Sequence, residues 1–230
     1  MREIILDTET TGLDPQKGDR LVEIGCLELL NSIPTGQVFH QYIDPQRDVP
    51  DEAFRVHGLS REFLAGKPLF ADVADDFLEF IGEDRLVIHN AEFDMRFINA
   101  ELARIGRPPL GMARVVDTLA IARKKHPGAS NSLDALCSRY KIDNSRRTKH
   151  GALLDSEILA DVYCELMGGR QTALVLQTSV AKVVREIKVV RGARTSKLPS
   201  MLSPSEQDAH EQLVAQIGDK AFWNQYRSES

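Results

Sequence analysis

The sequence predicts an α/β fold, a mixed sheet with helices on both faces. An apolar run and two segments of alternating hydrophobicity come first, as expected for neighbouring strands. Short apolar runs then alternate with segments of helical period up to about residue 170. With 42% hydrophobic and 27% charged residues, the composition is ordinary for a soluble globular protein.

Three strands are predicted near the N-terminus. Residues 3–7 are a short apolar run that ends in an acid, and the turn-rich segment 10–15 follows. Leu21–Leu30 alternates well enough for a half-buried strand, and residues 38–43 are predicted as its neighbour. Successive strands commonly pair in space, so we expect these three to begin the sheet.

Helical periodicity dominates the residues that follow. Residues 50–68 are predicted as a helix broken at Gly58 and Gly66, and Phe70–Ile81 as an amphipathic helix. The later predicted elements are a strand at 86–89, a helix at 91–105, a strand at Val115–Asp117, a helix ending at Lys125, a helix over Leu133–Tyr140 capped by Ser132, and a helix at 152–167.

The pattern changes after Gly169, so we expect three parts: a globular domain over residues 1–170, a connecting segment over 171–204 and a flexible tail over 205–230. Residues 1–170 carry 28 acidic and 21 basic side chains, whereas the remainder carries 6 and 8. An acidic domain argues against simple electrostatic capture of a polyanion, unless its carboxylates hold cations. The tail is too short to bury a core of its own.

Cysteine content and hydropathy limit the class of protein. The three cysteines are widely spaced and form no CxxC pair, which excludes a disulfide framework and a thiolate zinc site. No apolar run approaches the ~20 residues of a membrane-spanning helix, and the first ten residues lack the apolar stretch of a signal peptide. We therefore expect a soluble cytoplasmic protein with no membrane partner.

Four acids and one histidine are the candidates for chemistry. Asp7 and Glu9 form D-x-E at the end of the first strand, where a period of two puts both side chains on one face. Asp94 opens a later helix, and His150 and Asp155 form H-x4-D at the start of the last one. Each alone has a plainer explanation, such as a solvated strand edge, an acid near a helix N-terminus or a capping histidine. Their order along the chain favours a joint role.

Clustered carboxylates repel one another unless cations neutralise them. Oxygen ligands favour Mg²⁺ or Mn²⁺, and two such ions about 3.5–4 Å apart are the arrangement that transfers phosphoryl groups to water. A histidine, with an unperturbed pKa of about 6.5, can accept a proton near neutral pH. The constellation thus predicts a site for two divalent cations, with a histidine as general base.

With these motifs the sequence resembles the DnaQ-like (DEDDh) 3′→5′ exonuclease family, whose fold is RNase H-like. The matching segments are ILDTETTGLDP, VIHNAEFD and HGALLDSEILADVY, and the resemblance covers about residues 3–170. The run NSLDALCSRYKIDNS, at residues 131–145, has no generic chemical reason to recur. It is most similar to the proofreading members of the family that serve bacterial replicative polymerases.

The resemblance implies a role for each candidate. Asp7 would bridge both cations, while Glu9 and Asp155 would complete the site of the cation on the nucleophile side. These three acids would thereby also face the substrate. Asp94 would hold the second cation, and His150 would be the general base.

Five further positions match family positions near the terminal nucleotide. Glu52 and His57 would touch that nucleotide, although from the residues alone a helix-surface pair is the simpler explanation. Thr10 and Leu13 would line the pocket for the terminal base and sugar. Asn90 matches a position beside the acid of the second cation.

The implied function is a proofreading DNA exonuclease that removes deoxynucleoside 5′-monophosphates from a single-stranded 3′ end. One alternative is a free-standing family exonuclease acting on RNA or on DNA under repair, which would not need a tethering tail. The other is an assembly subunit that mainly bridges polymerase and sliding clamp, against which the intact set of catalytic residues argues. In each case the protein would work in the bacterial cytosol, and as a proofreader it would associate with the nucleoid.

The C-terminal residues are expected to bind partners. The segment QTALVL, from Gln171 to Leu176, resembles a short sliding-clamp-binding motif, although an apolar collar closing the last helix explains it as well. Residues 205–230 include Trp223 and would bind the polymerase subunit, unless Trp223 folds back onto the domain. Whether a small accessory subunit also binds the catalytic domain is left open.

Overall fold

The computed structural model describes residues 1–147, 149–169 and 202–218. The strands are β1 (Arg2–Thr10), β2 (Leu21–Leu30), β3 (Ile33–Tyr42), β4 (Arg85–Ile88) and β5 (Val115–Asp117). The helices are α1 (Asp51–His57), α2 (Arg61–Leu64), α3 (Phe70–Ile81), α4 (Ala91–Arg104), α5 (Thr118–Lys125), α6 (Leu133–Tyr140), α7 (Ala152–Leu166) and α8 (Pro204–Ile217). Short 3-10 helices lie at Pro15–Lys17 and Met112–Arg114. The chain divides into two compact units, residues 1–177 and 178–230.

The five strands form one mixed sheet in the order β3-β2-β1-β4-β5. The hairpin partners β1, β2 and β3 are antiparallel, whereas β1, β4 and β5 run parallel. Parallel strands end at the same edge of a sheet, so the end of β1 and the start of the helix after β4 meet there. The predicted RNase H-like arrangement, a mixed sheet flanked by helices, is confirmed.

The two faces of β1 pack against different helices. Ile4 and Leu6 belong to a core with α3 and α4, to which Phe77 and Phe97 contribute fully buried rings. Ile5 points the other way, into a second core with buried residues of α7. By the same alternation Asp7 and Glu9 share the α7 face, and Thr8 shares the α4 face.

Most elements lie close to their predicted bounds, and the two largest differences are in strands. β1 continues past residue 7 to Thr10, because its polar end still pairs with β2. β3 begins at Ile33 and not at residue 38, because the hairpin closes tightly through Asn31 and Ser32, both with positive φ. The early part of β3 is exposed and carries no alternating pattern, so periodicity could not reveal it.

In the second unit, the structure describes α8 and the residues beside it. Ser203 caps α8 in a capping box with Glu206, and Pro204 stands at its first position, where a missing N–H costs nothing. The expected clamp-binding segment and Trp223 lie outside the described residues. Among the described residues no helix combines the length and the hydropathy needed to cross a bilayer.

Candidate active site

Close packing of α7 on β2 builds one side of the site. Gly25 of β2 lies opposite Asp7 of β1, and a Cβ atom on Gly25 would lie 2.2 Å from the backbone nitrogen of Leu153. Ser156 donates a hydrogen bond of 2.9 Å to the Gly25 carbonyl oxygen. The absent side chain therefore lets the first turn of α7 approach the sheet, and Asp155 lies in that turn.

Three of the predicted residues come together at this junction. Glu9, His150 and Asp155 each offer a ligand atom, and these atoms lie within 4.8 Å of one another. The Nδ1 atom of His150 is 3.2 Å from Asp155 Oδ2. Both carboxylates are buried, whereas the His150 side chain is 46% exposed and accessible to water.

Asp94 reaches the site from the other face of the sheet. It lies in the first turn of α4, is buried, and accepts a hydrogen bond of 2.6 Å from Thr8 Oγ1. Thr8 is not among the residues predicted from the sequence, where its only signal is its place between the two acids of D-x-E. Thr8 fixes one carboxylate oxygen of Asp94 next to β1.

Arg147 is a second residue that the sequence analysis missed. Its Nε and Nη2 atoms donate to the two carboxylate oxygens of Asp155, each at 2.6 Å, and Nη2 also lies 2.7 Å from His150 Nδ1. In the sequence it is one of several basic residues before the histidine, with nothing to distinguish it from Arg146.

Burial raises the pKa of three of the acids. For Asp7 burial is the main cause, the charges of Asp94, Glu9 and Asp155 add to it, and its pKa lies well above the usual value. Burial, with the charge of Asp155 next, raises the pKa of Glu9 to about 8. Burial also raises the pKa of Asp94 to about 7, although the Thr8 hydrogen bond opposes it.

Asp155 behaves differently from these three acids. Its burial would raise its pKa, but hydrogen bonds from His150 and Arg147 outweigh that effect and lower the pKa. The site thus has four carboxylates and one buried guanidinium among the described residues, an excess of negative charge that a cation would relieve.

The side chains of Glu9, His150 and Asp155 are suitable ligands for a divalent cation. Carboxylate oxygens are the ligands that small hard cations prefer, and Glu9 and Asp155 supply them from rigid elements within ligand distance. His150 lies beside this group, as a base acting on a water near the cation must.

The positions expected to contact substrate lie on the surrounding segments. Thr10 is buried and donates to the Gly12 carbonyl oxygen at 2.6 Å, which shapes the loop after β1, and Leu13 in that loop is 78% exposed. Asn90 adopts the left-handed conformation before α4, and its backbone N–H donates to Asp117 at 3.2 Å.

Helix α1 carries the last two of these positions. Glu52 is exposed in its first turn, and His57 is buried at its end. Leu59 N–H donates to His57 Nδ1 at 3.0 Å, while Nε2 is buried without a hydrogen-bond partner in the described residues. A buried ring nitrogen without a partner is unusual, and this one has almost no surface open to solvent.

The loop that carries His150 is attached to α1. The backbone N–H of His150 donates to the carbonyl oxygen of Val56 at 3.2 Å. Lys149 Nζ reaches the carbonyl oxygens of Phe54 and Arg55, at 3.4 and 3.3 Å. The structure therefore brings His150 next to the helix that holds Glu52 and His57.

Comparison with known proteins agrees with this geometry. A profile of the Exonuclease family, RNase_T, matches residues 4–163. The DNA polymerase III subunit epsilon of Rickettsia conorii is 48% identical over 227 residues, covering 96% of this chain and 99% of the relative. The subunit epsilon of Escherichia coli K12 is 45% identical over 235 residues, covering 96% and 97%.

Solved structures share the fold. Exonuclease X in complex with 5′ overhanging duplex DNA is 26% identical, with a TM-score of 0.58 over 72% of this chain and 90% of the other. The nuclease domain of 3′hExo, a DEDDh family member bound to rAMP, has a TM-score of 0.63 at 17% identity over 72% and 91%. The chain therefore belongs to the DnaQ-like exonuclease family and, within it, to the family of bacterial DNA polymerase III epsilon subunits.

Proposed function

We propose that this protein is the proofreading 3′→5′ exonuclease of a replicative DNA polymerase. It hydrolyses the last phosphodiester of a single-stranded 3′ end and releases a deoxynucleoside 5′-monophosphate. The observation that carries the proposal is the convergence of Glu9, His150 and Asp155 within 4.8 Å, in a chain of the epsilon family.

The four acids divide between two cation positions. Asp7 would serve both, Glu9 and Asp155 would hold the cation on the side of the attacking water, and Asp94 would hold the other. Mg²⁺ or Mn²⁺ in these positions would activate the water and stabilise the leaving oxygen. Burial, with the charges of neighbouring carboxylates after it, raises the pKa values of Asp7 and Glu9, and a bound cation would relieve this cost of ionisation.

His150 accepts the proton of the attacking water. Its ring is exposed enough to exchange protons with solvent, and Nδ1 lies near Asp155 and Arg147, which orient the ring. Positioned bases of this kind typically contribute about 10²- to 10⁴-fold in rate.

The loop after β1 and helix α1 form the nucleotide pocket. Leu13, exposed on that loop, offers an apolar surface to the terminal base, and Thr10 fixes the turn beneath it. From α1, Glu52 and His57 contact the terminal nucleotide. Asn90 lies beside Asp94 at the start of α4.

The remaining parts of the chain connect this domain to its partners. Residues 1–170 are the exonuclease domain, 171–204 contact the sliding clamp through Gln171 to Leu176 and then act as a linker, and 205–230 bind the polymerase subunit. Relatives named as polymerase III subunits match over 96% of this chain, beyond the exonuclease domain, which supports a partner-binding role for the C-terminal residues. The protein then acts in the bacterial cytosol at the nucleoid.

Replacing Asp7 with Asn tests the function. Asp7→Asn should abolish hydrolysis of a 3′-labelled single-stranded DNA oligonucleotide in Mg²⁺, because it removes the shared ligand, and the neutral side chain should not destabilise the metal-free fold. Asp76→Asn is the matched control, since Asp76 is an exposed carboxylate of α3 away from the site, and it should keep the wild-type rate. A folded Asp7→Asn protein with near wild-type activity would refute the assignment.

A further inference from the structure

The side chain of Arg147 is unusually well buried and bound for an arginine in a loop. It is 7% exposed, and its guanidinium reaches groups on both sides. On one side Nε and Nη2 form two parallel hydrogen bonds to Asp155, each 2.6 Å long. On the same side Nη2 lies 2.7 Å from His150 Nδ1. A single side chain therefore contacts an expected cation ligand and the expected base.

The other side of the guanidinium is held by residues outside the site. Nη1 donates to Asp134 Oδ1 at 2.7 Å, and Asn144 Nδ2 donates to the same oxygen at 3.0 Å. Asp134 lies in the first turn of α6, whose N-terminus is capped by Ser132. We call Arg147, Asp134 and Asn144 the arginine clamp.

The geometry of the clamp suits orientation better than simple charge neutralisation. A guanidinium is planar and presents its donors in a fixed fork, so a two-point contact fixes the plane of the carboxylate as well as its distance. Hydrogen-bonded outer groups of this kind commonly orient metal-binding carboxylates and histidines. A lysine would supply the same charge without the fork.

The clamp also accounts for a puzzling part of the sequence. Residues 131–145 contain no expected catalytic residue, yet they supply both Asp134 and Asn144. Their helix packs on α7 through buried Leu136 and Cys137, which share a core with α7. The segment thus links Nη1 of Arg147, through Asp134 and helix α6, to the helix that bears Asp155.

We propose that Arg147 is a positioning residue, which sets the carboxylate plane of Asp155 and the ring of His150 for cation binding and catalysis, and that Asp134 and Asn144 anchor it. This inference rests on the proposed function for its catalytic part, but not for its effect on cation binding. Arg147 acts through Asp155 and His150 and does not itself contact the reacting atoms.

Variants of the full-length chain separate orientation from charge. Arg147→Lys keeps the charge and loses the fork, Arg147→Gln loses both, and Asp134→Ala releases the anchor without touching Asp155. Arg146→Gln is the matched control, because Arg146 is the adjacent arginine, is 73% exposed and forms a long contact of 3.4 Å with Glu157. Mn²⁺ affinity is measured by calorimetry, and kcat and KM on a single-stranded oligonucleotide in Mn²⁺.

We expect Arg147→Lys to weaken Mn²⁺ binding and lower kcat, each by about 10- to 100-fold, with KM for DNA nearly unchanged. Asp134→Ala should shift both quantities in the same direction by a smaller factor, and Arg146→Gln should match the wild type. Asp134 is 61% exposed, so its variant tests the clamp even if the Arg147 variants fail to fold.

Two results would overturn the inference. In the first, Arg147→Lys has the Mn²⁺ affinity and kcat of the wild type, which would show that Arg147 contributes its positive charge and not its geometry. In the second, the variants lower the melting temperature alone, which would make Arg147 purely structural. If the wild type itself does not hydrolyse DNA, the proposed function fails, while the Mn²⁺ affinities still decide whether the clamp orients Asp155.

Discussion

Buried acids of the site differ in their neighbours more than in their burial. Asp94 and Asp155 are both 3% exposed, yet the pKa of Asp94 is raised to about 7 and that of Asp155 is lowered. Asp155 has Arg147 and His150 as partners, whereas the hydrogen bond that Asp94 receives comes from the neutral Thr8 hydroxyl. Local partners therefore decide which carboxylates titrate near neutral pH in the metal-free protein.

The metal-free protein should lose stability as the pH rises from 5 to 8. Asp94 has its pKa raised from 3.8 to about 7 on folding, and Glu9 from 4.5 to about 8. Between the lower and upper values the folded state binds more protons than the unfolded state, so the free energy of unfolding decreases with pH. The lowered pKa of Asp155 has its effect below that window, and the lowered pKa values of buried His57 and half-buried His89 partly offset the decline below about pH 6.5.

Melting temperatures in EDTA at several pH values test this expectation. Asp94→Asn should flatten the decline, and Asp76→Asn should leave it unchanged. Saturating Mn²⁺ should reverse it, because the cation binds the deprotonated acids. A pH dependence in EDTA that is the same in Asp94→Asn as in the wild type would contradict the raised pKa of Asp94.

His150 should be needed for the rate and not for the affinity. We expect His150→Ala to lower kcat by about 100-fold or more, because the attacking water loses its base, while DNA binding persists. Added imidazole should restore part of the rate to His150→Ala but none to Asp7→Asn. Unchanged kinetics in His150→Ala would leave this residue a role in the loop alone.

The candidate residues for chemistry can be predicted from the sequence, whereas the residues that contact and hold them cannot. The five candidates are recognised because acids and a histidine occur in a known order along the chain. In the structure Glu9, His150 and Asp155 meet at one junction, and the charge of Asp94 acts on Asp7. Thr8 and Arg147 carry no such signal. Their contacts span 86 and 8 positions and depend on how helices pack on the sheet.

At the scale of elements, the approach of α7 to β2 determines the site. The N-terminus of α7 crosses β2 where Gly25 leaves room, and a shift of that helix would move Asp155 and its neighbour His150 together. This requirement explains why a glycine lies in the middle of a mostly buried strand.

Gly25→Ala should disturb both fold and function. Its Cβ atom would lie 2.2 Å from Leu153 N and 2.3 Å from the Ala152 carbonyl carbon, backbone atoms that yield only if α7 moves. We expect a lower melting temperature and a fall in kcat of roughly 10-fold or more, since a displacement of about 1 Å can cost 10²-fold. Gly111→Ala is the control, because open space surrounds Gly111 and its φ of −79° suits alanine. A normal kcat despite a lower melting temperature would show that the site tolerates a displaced α7.

Whether an element can be predicted from the sequence depends on how its side chains are buried. Phe70–Ile81 is found at its predicted bounds, because one face enters the core and the other faces solvent. The start of β3 is missed because residues 33–38 are exposed and are held in the sheet by backbone pairing with β2, which side-chain patterns do not encode.

At the scale of the whole molecule, catalysis and assembly are separable by our proposal. The predicted site lies entirely on β1, α4, α7 and the segments around them, within the compact unit of residues 1–177. Tethering a nuclease to its polymerase would raise its effective concentration to roughly the millimolar range, so that a mispaired end is transferred without dissociation. The C-terminal residues then contribute proximity and no catalytic group.

A chain that ends at Arg170 should therefore keep its exonuclease rate on single-stranded DNA and its melting temperature, and should not co-purify with the polymerase subunit.

The complementary fragment, residues 171–230, should capture both polymerase and sliding clamp. Alanine at Gln171 and Leu174 should abolish binding of the clamp and leave binding of the polymerase unchanged. These outcomes follow because large aromatic side chains such as Trp223 anchor in partner pockets, whereas a short polar-flanked motif binds the clamp independently. If the shortened chain unfolds, the C-terminal residues belong to the fold of the domain, and if it still binds polymerase tightly, the domain itself binds; either result would refute the tether. If the alanine variant binds the clamp normally but the full-length protein carrying it melts earlier, the segment is an apolar collar for α7.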